Sequence, residues 1–320
     1  MDKERKKRAR RNLGRILLTI SATLVKVLPL RLISFMGRTF GLMGYAFASR
    51  HRRISLENLA IAFGQEKSQA QIRDIARKSW QYMGEAGWEL FYFLNHLDQV
   101  NQRVRIVGLE HLKKALSKKR GVVALTGHFG NFPLLCLRLK EEGFVVHTMT
   151  RPMRDEKAGD FFHKLRTEVG VRTIFSYPRR QAVFTSLKAL ENNEIIVLQM
   201  DQNFGTGGGW VNFFGKLAAT PVGPIILALR AKAAIVPMFI IREGGGRYTL
   251  FIEEEAPLER REDKDEAVLV NAIKFTNIME EWIRKYPRLW GWFHRRWKSR
   301  PTQREFSAKY KVEKVSVQKS

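Results

Sequence analysis

The chain contains a single cysteine, Cys136, among its 320 residues. An internal disulfide is therefore excluded, and such sparing use of cysteine is typical of a reducing compartment or of the cytoplasmic face of a membrane. Cys136 is flanked by apolar residues, and a lone cysteine in that setting is usually a small buried side chain. We therefore expect Cys136 to pack in the core and to take no part in catalysis.

Several catalytic signatures are also missing. No Gly-x-Ser-x-Gly pattern occurs, which excludes the nucleophile elbow of serine hydrolases. The glycine-rich stretch 205–209 lacks the Gly-Lys-Ser/Thr ending of a phosphate-binding loop. The seven histidines and the one cysteine show no spacing typical of metal ligands, so we expect neither a metal nor another cofactor.

Acidic residues are scarce. The chain has 31 Asp and Glu against 57 Lys and Arg, which gives a formal net charge of +26. Such a charge favours anionic partners, whether nucleic acid, phospholipid headgroups or an acidic carrier protein. The excess is enriched at the ends, since residues 1–12 carry seven basic and two acidic side chains.

Long uncharged apolar runs are absent too. Residues 13–49 are the most membrane-like part of the chain, but four basic residues interrupt them: Arg15, Lys26, Arg31 and Arg38. No window reaches the ~18 apolar residues of a spanning helix, and no cleavage pattern of a signal peptide follows. We predict two basic amphipathic helices, broken at Pro29, that lie in the headgroup region. The alternative is an ordinary amphipathic pair packed on the core.

Strands and helices alternate over residues 122–232, which predicts an α/β fold with a mostly parallel central sheet flanked by helices. Long helices are predicted at 68–96 and 266–285, and a strand pair at 234–241 and 247–254. Three parts follow from this pattern: a basic arm with membrane-anchoring helices (1–50), an α/β domain (51–300) and a basic polar tail (301–320).

The stretch Gly121–Leu135 reads GVVALTGHFGNFPLL and predicts a buried strand, a tight turn and the start of a helix. Pro133 suits the first helical turn, where its missing N–H costs nothing. His128 then lies on a loop at the carboxyl end of a strand, where open α/β sheets place their chemistry. A neutral imidazole is a natural general base, and the neighbouring glycines leave it accessible. The plainer alternative is a histidine satisfied in the core.

Asp201 follows the predicted strand 194–199. It can therefore reach the same sheet edge as His128, where a carboxylate would orient the imidazole and stabilise its cation. The alternative is a loop aspartate that caps the next turn.

Arg151 follows the strand at 144–149, and Arg166 lies on the next helix. Guanidinium groups in these places can hold a phosphate or an oxyanion in fork geometry, although each alone also suits a solvated surface charge. The stretch Asn212–Gly215 followed by Ala219–Pro221 predicts an aromatic turn and then a helix N-terminus over 220–232, which favours anions.

The stretch Trp290–Trp297, WGWFHRRW, interleaves aromatic rings with Arg295 and Arg296. Three interpretations are open for it: a surface that stacks nucleic-acid bases, an interfacial aromatic belt, or core packing.

Taken together and in this order, the motifs resemble those of the bacterial lipid A biosynthesis acyltransferases, the lauroyl/myristoyl transferase branch of the lysophospholipid acyltransferase superfamily. The resemblance runs from the amphipathic N-terminus to about residue 300. The matching stretches are Ser55–Gly64, Gly127–Asn131, Arg151-Pro152, Leu165-Arg166 before Gly170, Asp201-Gln202, Phe213–Gly215, Ala219–Pro221, and Pro287 with Trp290, Trp292 and His294–Trp297.

The resemblance implies a glycerolipid-acyltransferase-like fold and an O-acyltransferase without a cofactor. The enzyme would move a fatty acyl chain from acyl-carrier protein or acyl-CoA to a hydroxyl of a membrane lipid, such as a lipid A precursor, at the cytoplasmic face of the bacterial inner membrane. The implied partners are acidic acyl-carrier protein, anionic membrane lipids and the lipid acceptor, and not nucleic acid. The predicted catalytic residues are His128, Asp201 and Asn131. The predicted substrate-binding residues are Arg151, Arg166, Gly130, Gln202, Phe214, Thr220 and Arg295.

One position departs from the family pattern, which carries Glu or Asp five residues after the histidine. Here that position is Pro133. Asp201 replaces the carboxylate, or Asn131 and backbone carbonyls suffice, or the protein is an inactive homologue that binds membranes or carrier protein. We expect activity to be retained because the other motifs persist. The acceptor stays open among a lipid A precursor, a lysophospholipid, a glycolipid and an aminoacyl lipid.

Overall fold

The computed structural model describes residues 23–153 and 155–301. Its helices are α1 (Leu30–Phe47), α2 (Ser49–Phe63), α3 (Gln69–Asn95), α4 (Asp98–Arg103), α5 (Leu109–Ser117), α6 (Phe132–Glu141), α7 (Glu156–Glu168), α8 (Arg179–Glu191), α9 (Gly223–Ala231) and α10 (Lys264–Lys285). Its strands are β1 (Val104–Val107), β2 (Val122–Thr126), β3 (Val146–Thr150), β4 (Arg172–Phe175), β5 (Ile195–Gln199), β6 (Gly209–Phe213), β7 (Lys216–Thr220), β8 (Ala234–Gly244) and β9 (Arg247–Ile252).

The central sheet has seven strands in the order β1-β9-β8-β2-β5-β3-β4. Neighbouring strands are parallel except for the β8–β9 pair, which is antiparallel. The predicted α/β class with a mostly parallel central sheet is therefore confirmed. β2 lies at the centre and every one of its residues is buried, as expected for a strand whose two faces are both covered by helices.

The two faces of the sheet pack against different helices. Val122 and Ala124 of β2 share a core with α5 and α6, whereas Val123 and Leu125 share one with α8, α9 and α10. This alternation follows from the period of two along a strand. Cys136 lies buried in α6, and burial raises the pKa of its thiol to about 12, so the expected core role is confirmed.

Helix α1 lies tightly along α3. Pro29 precedes α1, which confirms the predicted break, and glycines line the contact. A Cβ built on Gly41 would lie 2.2 Å from the Trp80 carbonyl oxygen, and one on Gly84 would lie 2.3 Å from that of Gly37. The two backbones therefore meet because these positions have no side chains.

A buried carboxylate ties this helix pair to the sheet. Glu89 of α3 accepts hydrogen bonds from Ser34 of α1 and from Tyr248 of β9. Arg242 of β8 donates to the same carboxylate through Nε at 3.0 Å and Nη2 at 2.7 Å. A fully buried charge is tolerated here because it is paired and hydrogen-bonded.

The membrane-related predictions are only partly covered by the described residues. The basic arm and the first amphipathic stretch in residues 1–22 lie outside them, as does the tail from residue 302. None of the helices in residues 23–153 and 155–301 combines the length and the apolar character needed to cross a bilayer. The predicted boundary between residues 50 and 51 falls within α2.

One local prediction was wrong, and one strand was not predicted. Residues 209–220 form the hairpin β6–β7, so the helix predicted from residue 220 begins instead at Gly223, with Pro224 in its first turn. The anion-binding helix end predicted around Pro221 is therefore absent from that position. Strand β1 was not predicted, because its four residues form a strand only by pairing with β9 at the sheet edge.

Candidate active site

Two neighbouring strands bring the candidate site together. Thr126 ends β2 and is the register partner of Gln199, which ends β5, so the loops after both strands leave the sheet side by side. Gly127 follows β2, and a Cβ there would lie 2.8 Å from Met279 Cε and 3.0 Å from Asp201 Oδ2. A side chain at this turn would therefore crowd the Asp201 carboxylate and force the Met279 side chain of α10 to move.

His128 and Asp201 are in direct contact at this edge. His128 Nδ1 lies 2.8 Å from Asp201 Oδ1, and the His128 backbone N–H donates to Asp201 Oδ2 at 2.7 Å. Trp290 Nε1 donates to the same Oδ2 at 2.7 Å. The predicted meeting of the two side chains is thus seen, and it fixes His128 Nδ1 as the hydrogen-bond donor because an ionised carboxylate only accepts.

Neighbouring groups keep the Asp201 carboxylate ionised. Its side chain is fully buried, and burial alone raises a carboxyl pKa. The charge of His128, its hydrogen bond and the Trp290 N–H outweigh that effect, so the pKa of Asp201 is lowered from its usual value. The His128 side chain is 26% exposed, so the imidazole connects this buried carboxylate to the surface of the site.

The second imidazole nitrogen faces an amide and another histidine. Gln202 Nε2 lies 2.9 Å from His128 Nε2 and 3.1 Å from His294 Nε2. The two imidazole rings are 5.1 Å apart between centroids. Burial, together with the nearby His128, lowers the pKa of His294 to about 4 although Asp201 acts in the opposite direction. His294 is therefore neutral at pH 7.

Residues 290–297, the closing segment, pack against the His128 loop. Phe129 and Trp290 form an isolated antiparallel bridge, and the Gly291 N–H donates to the His128 carbonyl oxygen at 3.1 Å. Asn58 of α2 donates through Nδ2 to the Trp292 and His294 carbonyl oxygens at 2.7 and 2.5 Å. Trp290 and Trp292 are fully buried, so of the three interpretations of this segment core packing is the one seen for its tryptophans.

Arg296 of the closing segment is a buried cation behind the site. It donates to the Ala219 carbonyl oxygen at 2.7 Å, to Thr220 Oγ1 at 2.6 Å and to the Gln202 carbonyl oxygen at 3.4 Å. Burial lowers the pKa of Arg296 to about 10, an effect that the negative Asp201 opposes. The guanidinium remains charged at pH 7 and fixes the Gln202 backbone against β7.

Comparison with known proteins identifies the family. The family model described as "Bacterial lipid A biosynthesis acyltransferase" matches residues 1–299. The chain belongs to this family. Members of the lipid A acyltransferase family that resemble the chain are named as acyltransferases, and the protein is accordingly an O-acyltransferase.

Three relatives illustrate the range of the family resemblance. The chain is 26% identical over 287 residues to a lipid A biosynthesis palmitoleoyltransferase of Escherichia coli (strain K12), covering 86% of this chain and 87% of that protein. It is 27% identical over 287 residues to a lipid A biosynthesis lauroyltransferase of the same strain, covering 87% and 89%. It is also 28% identical over 155 residues to a phosphatidylinositol mannoside acyltransferase of Mycobacterium tuberculosis (strain CDC 1551 / Oshkosh), covering 48% and 49%.

Two residues predicted in the site of this lipid A acyltransferase family member shape its loop. Gly130 has φ +61°, and a Cβ there would lie 1.8 Å from the Ile240 carbonyl oxygen, so only glycine fits. Asn131 is buried, and its Nδ2 donates to the Ala86 carbonyl oxygen of α3 at 2.9 Å. The geometry makes Asn131 an anchor of the loop, and a catalytic role for it stays a prediction.

The predicted substrate-binding residues divide by exposure. Arg151 and Arg295 are exposed, and Arg166 is half-buried with its Nε donating to Thr173 Oγ1 at 2.9 Å. Phe214 is buried, and its ring meets those of Phe63 and Trp292. Thr220 is buried beneath Arg296. Substrate contacts stay predictions for all five, and the two buried residues contact the core.

Sequence reasoning missed the roles of four residues around His128: Asn58, Trp290, His294 and Arg296. Asn58 could have been singled out as a polar residue on the apolar side of an otherwise amphipathic helix. His294 stood within a recognised motif, but nothing in the local pattern placed it against His128. No group of three metal-ligating side chains occurs in residues 23–153 and 155–301.

Proposed function

We propose that this protein transfers a fatty acyl chain from acyl-carrier protein or acyl-CoA to a hydroxyl group of a membrane lipid such as a lipid A precursor, with His128 as the general base. The observation that carries the proposal is the 2.8 Å contact between His128 Nδ1 and Asp201 Oδ1. It directs the lone pair of the other ring nitrogen, Nε2, away from the carboxylate, where an acceptor hydroxyl would replace the Gln202 amide as its partner.

The proposed reaction has two steps. The acceptor hydroxyl gives its proton to His128 Nε2 while its oxygen attacks the carbonyl carbon of the acyl thioester, and the C=O electron pair moves onto oxygen. The tetrahedral intermediate then restores the C=O bond and breaks the C–S bond. The leaving thiolate takes the proton from His128 Nε2. Asp201 stabilises the imidazolium that exists between the two steps.

Asp201 also bears on the absence of a carboxylate at Pro133. A charged, buried carboxylate already contacts the imidazole in this chain, so the function of the missing residue can be met from β5. This supports an active enzyme over an inactive homologue that only binds membranes or carrier protein. Pro133 alone favours the inactive homologue, and the activity assay below separates the two.

Two arginines outside the His128–Asp201 contact, Arg166 and Arg151, are proposed to hold the phosphate of the acceptor. Arg166 is half-buried and forms no ion pair among the described residues, and its Nε alone is engaged by Thr173. Burial lowers its pKa, with Cys136 acting in the opposite direction, so an anion that approaches it gains a partly desolvated partner. Arg151 lies exposed after β3 and would bind the same group from the solvent side.

The proposed location is the cytoplasmic face of the bacterial inner membrane, in contact with anionic lipid. Apolar side chains on α1 point into solvent, with Phe35 65% and Phe47 81% exposed. Together with the net charge of +26, this outer face supports interfacial binding.

The test measures acyl transfer by purified protein with acyl-carrier-protein and CoA donors and a panel of lipid acceptors, corrected for thioester hydrolysis. Replacing a general base typically costs about 10²–10⁴-fold in rate, and we expect that loss for His128→Ala. His51→Ala, an exposed histidine on α2, serves as the matched control and should keep the wild-type rate. Full transfer by His128→Ala would contradict the mechanism. Mass spectrometry of the product identifies the acceptor and the acyl length.

A further inference from the structure

Besides Asp201, Gln202 and His294 also contact His128, and the reaction proposed above gives them no role. We propose that the Gln202 side-chain N–H is the donor that stabilises the tetrahedral oxyanion, and that His294 is the positioning residue that holds this amide in place. The inference rests on the proposed acyl transfer and assigns the donor within it.

For a neutral His128, the hydrogen-bond donors and acceptors around it match in one way. His128 Nδ1–H is engaged by Asp201, so a neutral His128 presents a lone pair at Nε2. Gln202 Nε2 lies 2.9 Å from His128 Nε2 and donates one N–H to that lone pair. The same amide nitrogen lies 3.1 Å from His294 Nε2 and 3.5 Å from His294 Nδ1, so it rests against the His294 ring beside both nitrogens and not on the lone pair of one of them.

The neutral state of His294 is built into its surroundings. The ring is largely buried behind His128. Gly291 leaves room for the ring because a Cβ at position 291 would lie only 3.3 Å from His294 Cδ2. Asn58 holds the His294 carbonyl oxygen from α2. A protonated ring in this place would repel both the Gln202 N–H and the imidazolium of His128.

During the reaction, the Gln202 amide loses its hydrogen bond to His128, and this change gives it a role. An acceptor hydroxyl must take the His128 Nε2 lone pair, and it thereby displaces the Gln202 N–H. The released N–H stays within one hydrogen-bond length of the attacking oxygen, because His294 and the Arg296 contact to the Gln202 carbonyl oxygen hold the residue. The oxyanion is the carbonyl oxygen bonded to the carbon that is attacked. The free donor is therefore beside the negative charge as it develops.

Four variants test the assignment through kcat and KM for the acyl donor. Gln202→Met keeps the length of the side chain and removes the donor, and a lost oxyanion donor typically costs about 10²–10³-fold in kcat. His294→Ala removes the ring against which the amide rests and should reproduce most of that loss. His294→Phe keeps a ring in that place and should recover part of it. The Gln202→Met/His294→Ala double variant should be no slower than Gln202→Met, and KM should change little throughout.

Lys298→Gln, an exposed position just after the closing segment, is the control and should match the wild type. NMR examines the variants without turnover. The ¹⁵N resonance of His128 Nε2 should shift in Gln202→Met because this nitrogen loses its hydrogen bond from Gln202. Wild-type kcat in His294→Ala, or losses that multiply in the double variant, would overturn this inference while leaving the general base intact. A wild-type protein without acyl transfer would instead overturn the proposed function, and this role with it.

Discussion

At His128, the ring nitrogen Nδ1 lies 2.8 Å from Asp201 Oδ1, while the position five residues further along the chain is Pro133, in the first turn of α6. The family pattern would supply a carboxylate from that helix. This chain has one in the loop after the neighbouring strand β5, 73 residues away in sequence, and it also accepts hydrogen bonds from the His128 backbone N–H and from Trp290 Nε1. The imidazole therefore has a buried partner even though its own loop offers none.

Replacing Asp201 tests that partnership. We expect Asp201→Asn to keep the shape of the side chain and to lower kcat by about 10²–10⁴-fold, because the amide cannot stabilise the imidazolium and disturbs the tautomer of His128. The measurement is steady-state acyl transfer, with Asp160→Asn on α7 as a control because Asp160 is exposed. Equal rates for the two variants would refute the pairing.

His294 makes a prediction about stability and pH. Its folded-state pKa of about 4 lies below the ordinary value of 6.5. Between pH 6.5 and 4, His294 is therefore protonated in the unfolded chain and neutral in the folded protein. Stability is complete above about pH 6.5 and falls as the pH drops toward 4, by about 3 kcal/mol at about 1.4 kcal/mol per pKa unit.

Urea unfolding of the wild type and of His294→Gln between pH 7 and 4 measures this contribution. Other acid-sensitive groups are common to both proteins, so the difference between the two curves isolates His294. We expect the wild type to lose more free energy of unfolding over this range than the variant. Parallel curves would show that the ring titrates normally in the folded protein.

At the scale of elements, α1 and α3 meet in a close seam, and α1 is the helix that exposes apolar side chains to solvent. Gly37, Gly41 and Gly84 let the two backbones touch, and Glu89 ties the pair to β8 and β9. Asn131 of the His128 loop donates to Ala86 on the same α3. The orientation of α1 and that of the loop are thus set against one helix.

Gly84→Ala tests the seam. A Cβ at Gly84 would lie 2.3 Å from the Gly37 carbonyl oxygen, so the helices must separate, and we expect a loss of about 1–3 kcal/mol in the free energy of unfolding. Gly87→Ala on the same helix meets nothing within 4 Å and should stabilise the protein by up to about 1 kcal/mol through helix propensity. Chemical denaturation measures both variants. Similar effects of the two would show that the seam tolerates a side chain.

At the scale of the whole molecule, charge and apolar surface act together. The net charge of +26 attracts anionic surfaces over a Debye length, and the exposed aromatic side chains of α1 are available for insertion once the surface is reached. The two contributions respond differently to salt, which makes them separable.

We expect binding to vesicles that contain anionic lipid to weaken as ionic strength rises. The Phe35→Ser/Phe47→Ser double variant should bind at least about tenfold more weakly at every salt concentration, because each buried Phe contributes ~1.5–3 kcal/mol. Phe184→Ser on α8 is the control, since Phe184 is 62% exposed against 65% for Phe35 but covers the other face of the sheet. Vesicle co-sedimentation measures all three. Equal binding by the double variant and the control would exclude α1 as the membrane-binding face.

The elements that were predicted correctly are those whose signals are local. These signals are the run of apolar residues in β2, the helical pattern of residues 68–96 and the alternation of strands and helices, and all depend on residues close together in the chain. Strand β1 was missed because it is a strand only through its pairing with β9, where Val104 lies opposite Tyr248. Sequence pattern does not record such long-range pairing. The hairpin at 209–220 is local, since β6 pairs with β7, and there the prediction itself was wrong because it assigned Thr220 to a helix.

For the stretch around His128, the sequence by itself determined the strand, the turn, the exposed imidazole and the helix start at Pro133. Only the tertiary structure decided what the imidazole contacts. The order β8-β2-β5 places Asp201 and Gln202 beside His128, and the packing of the closing segment adds Trp290 and His294. The physical reason is that a hydrogen bond requires atoms within about 3 Å, and for residues distant in sequence that proximity depends on strand order and helix packing.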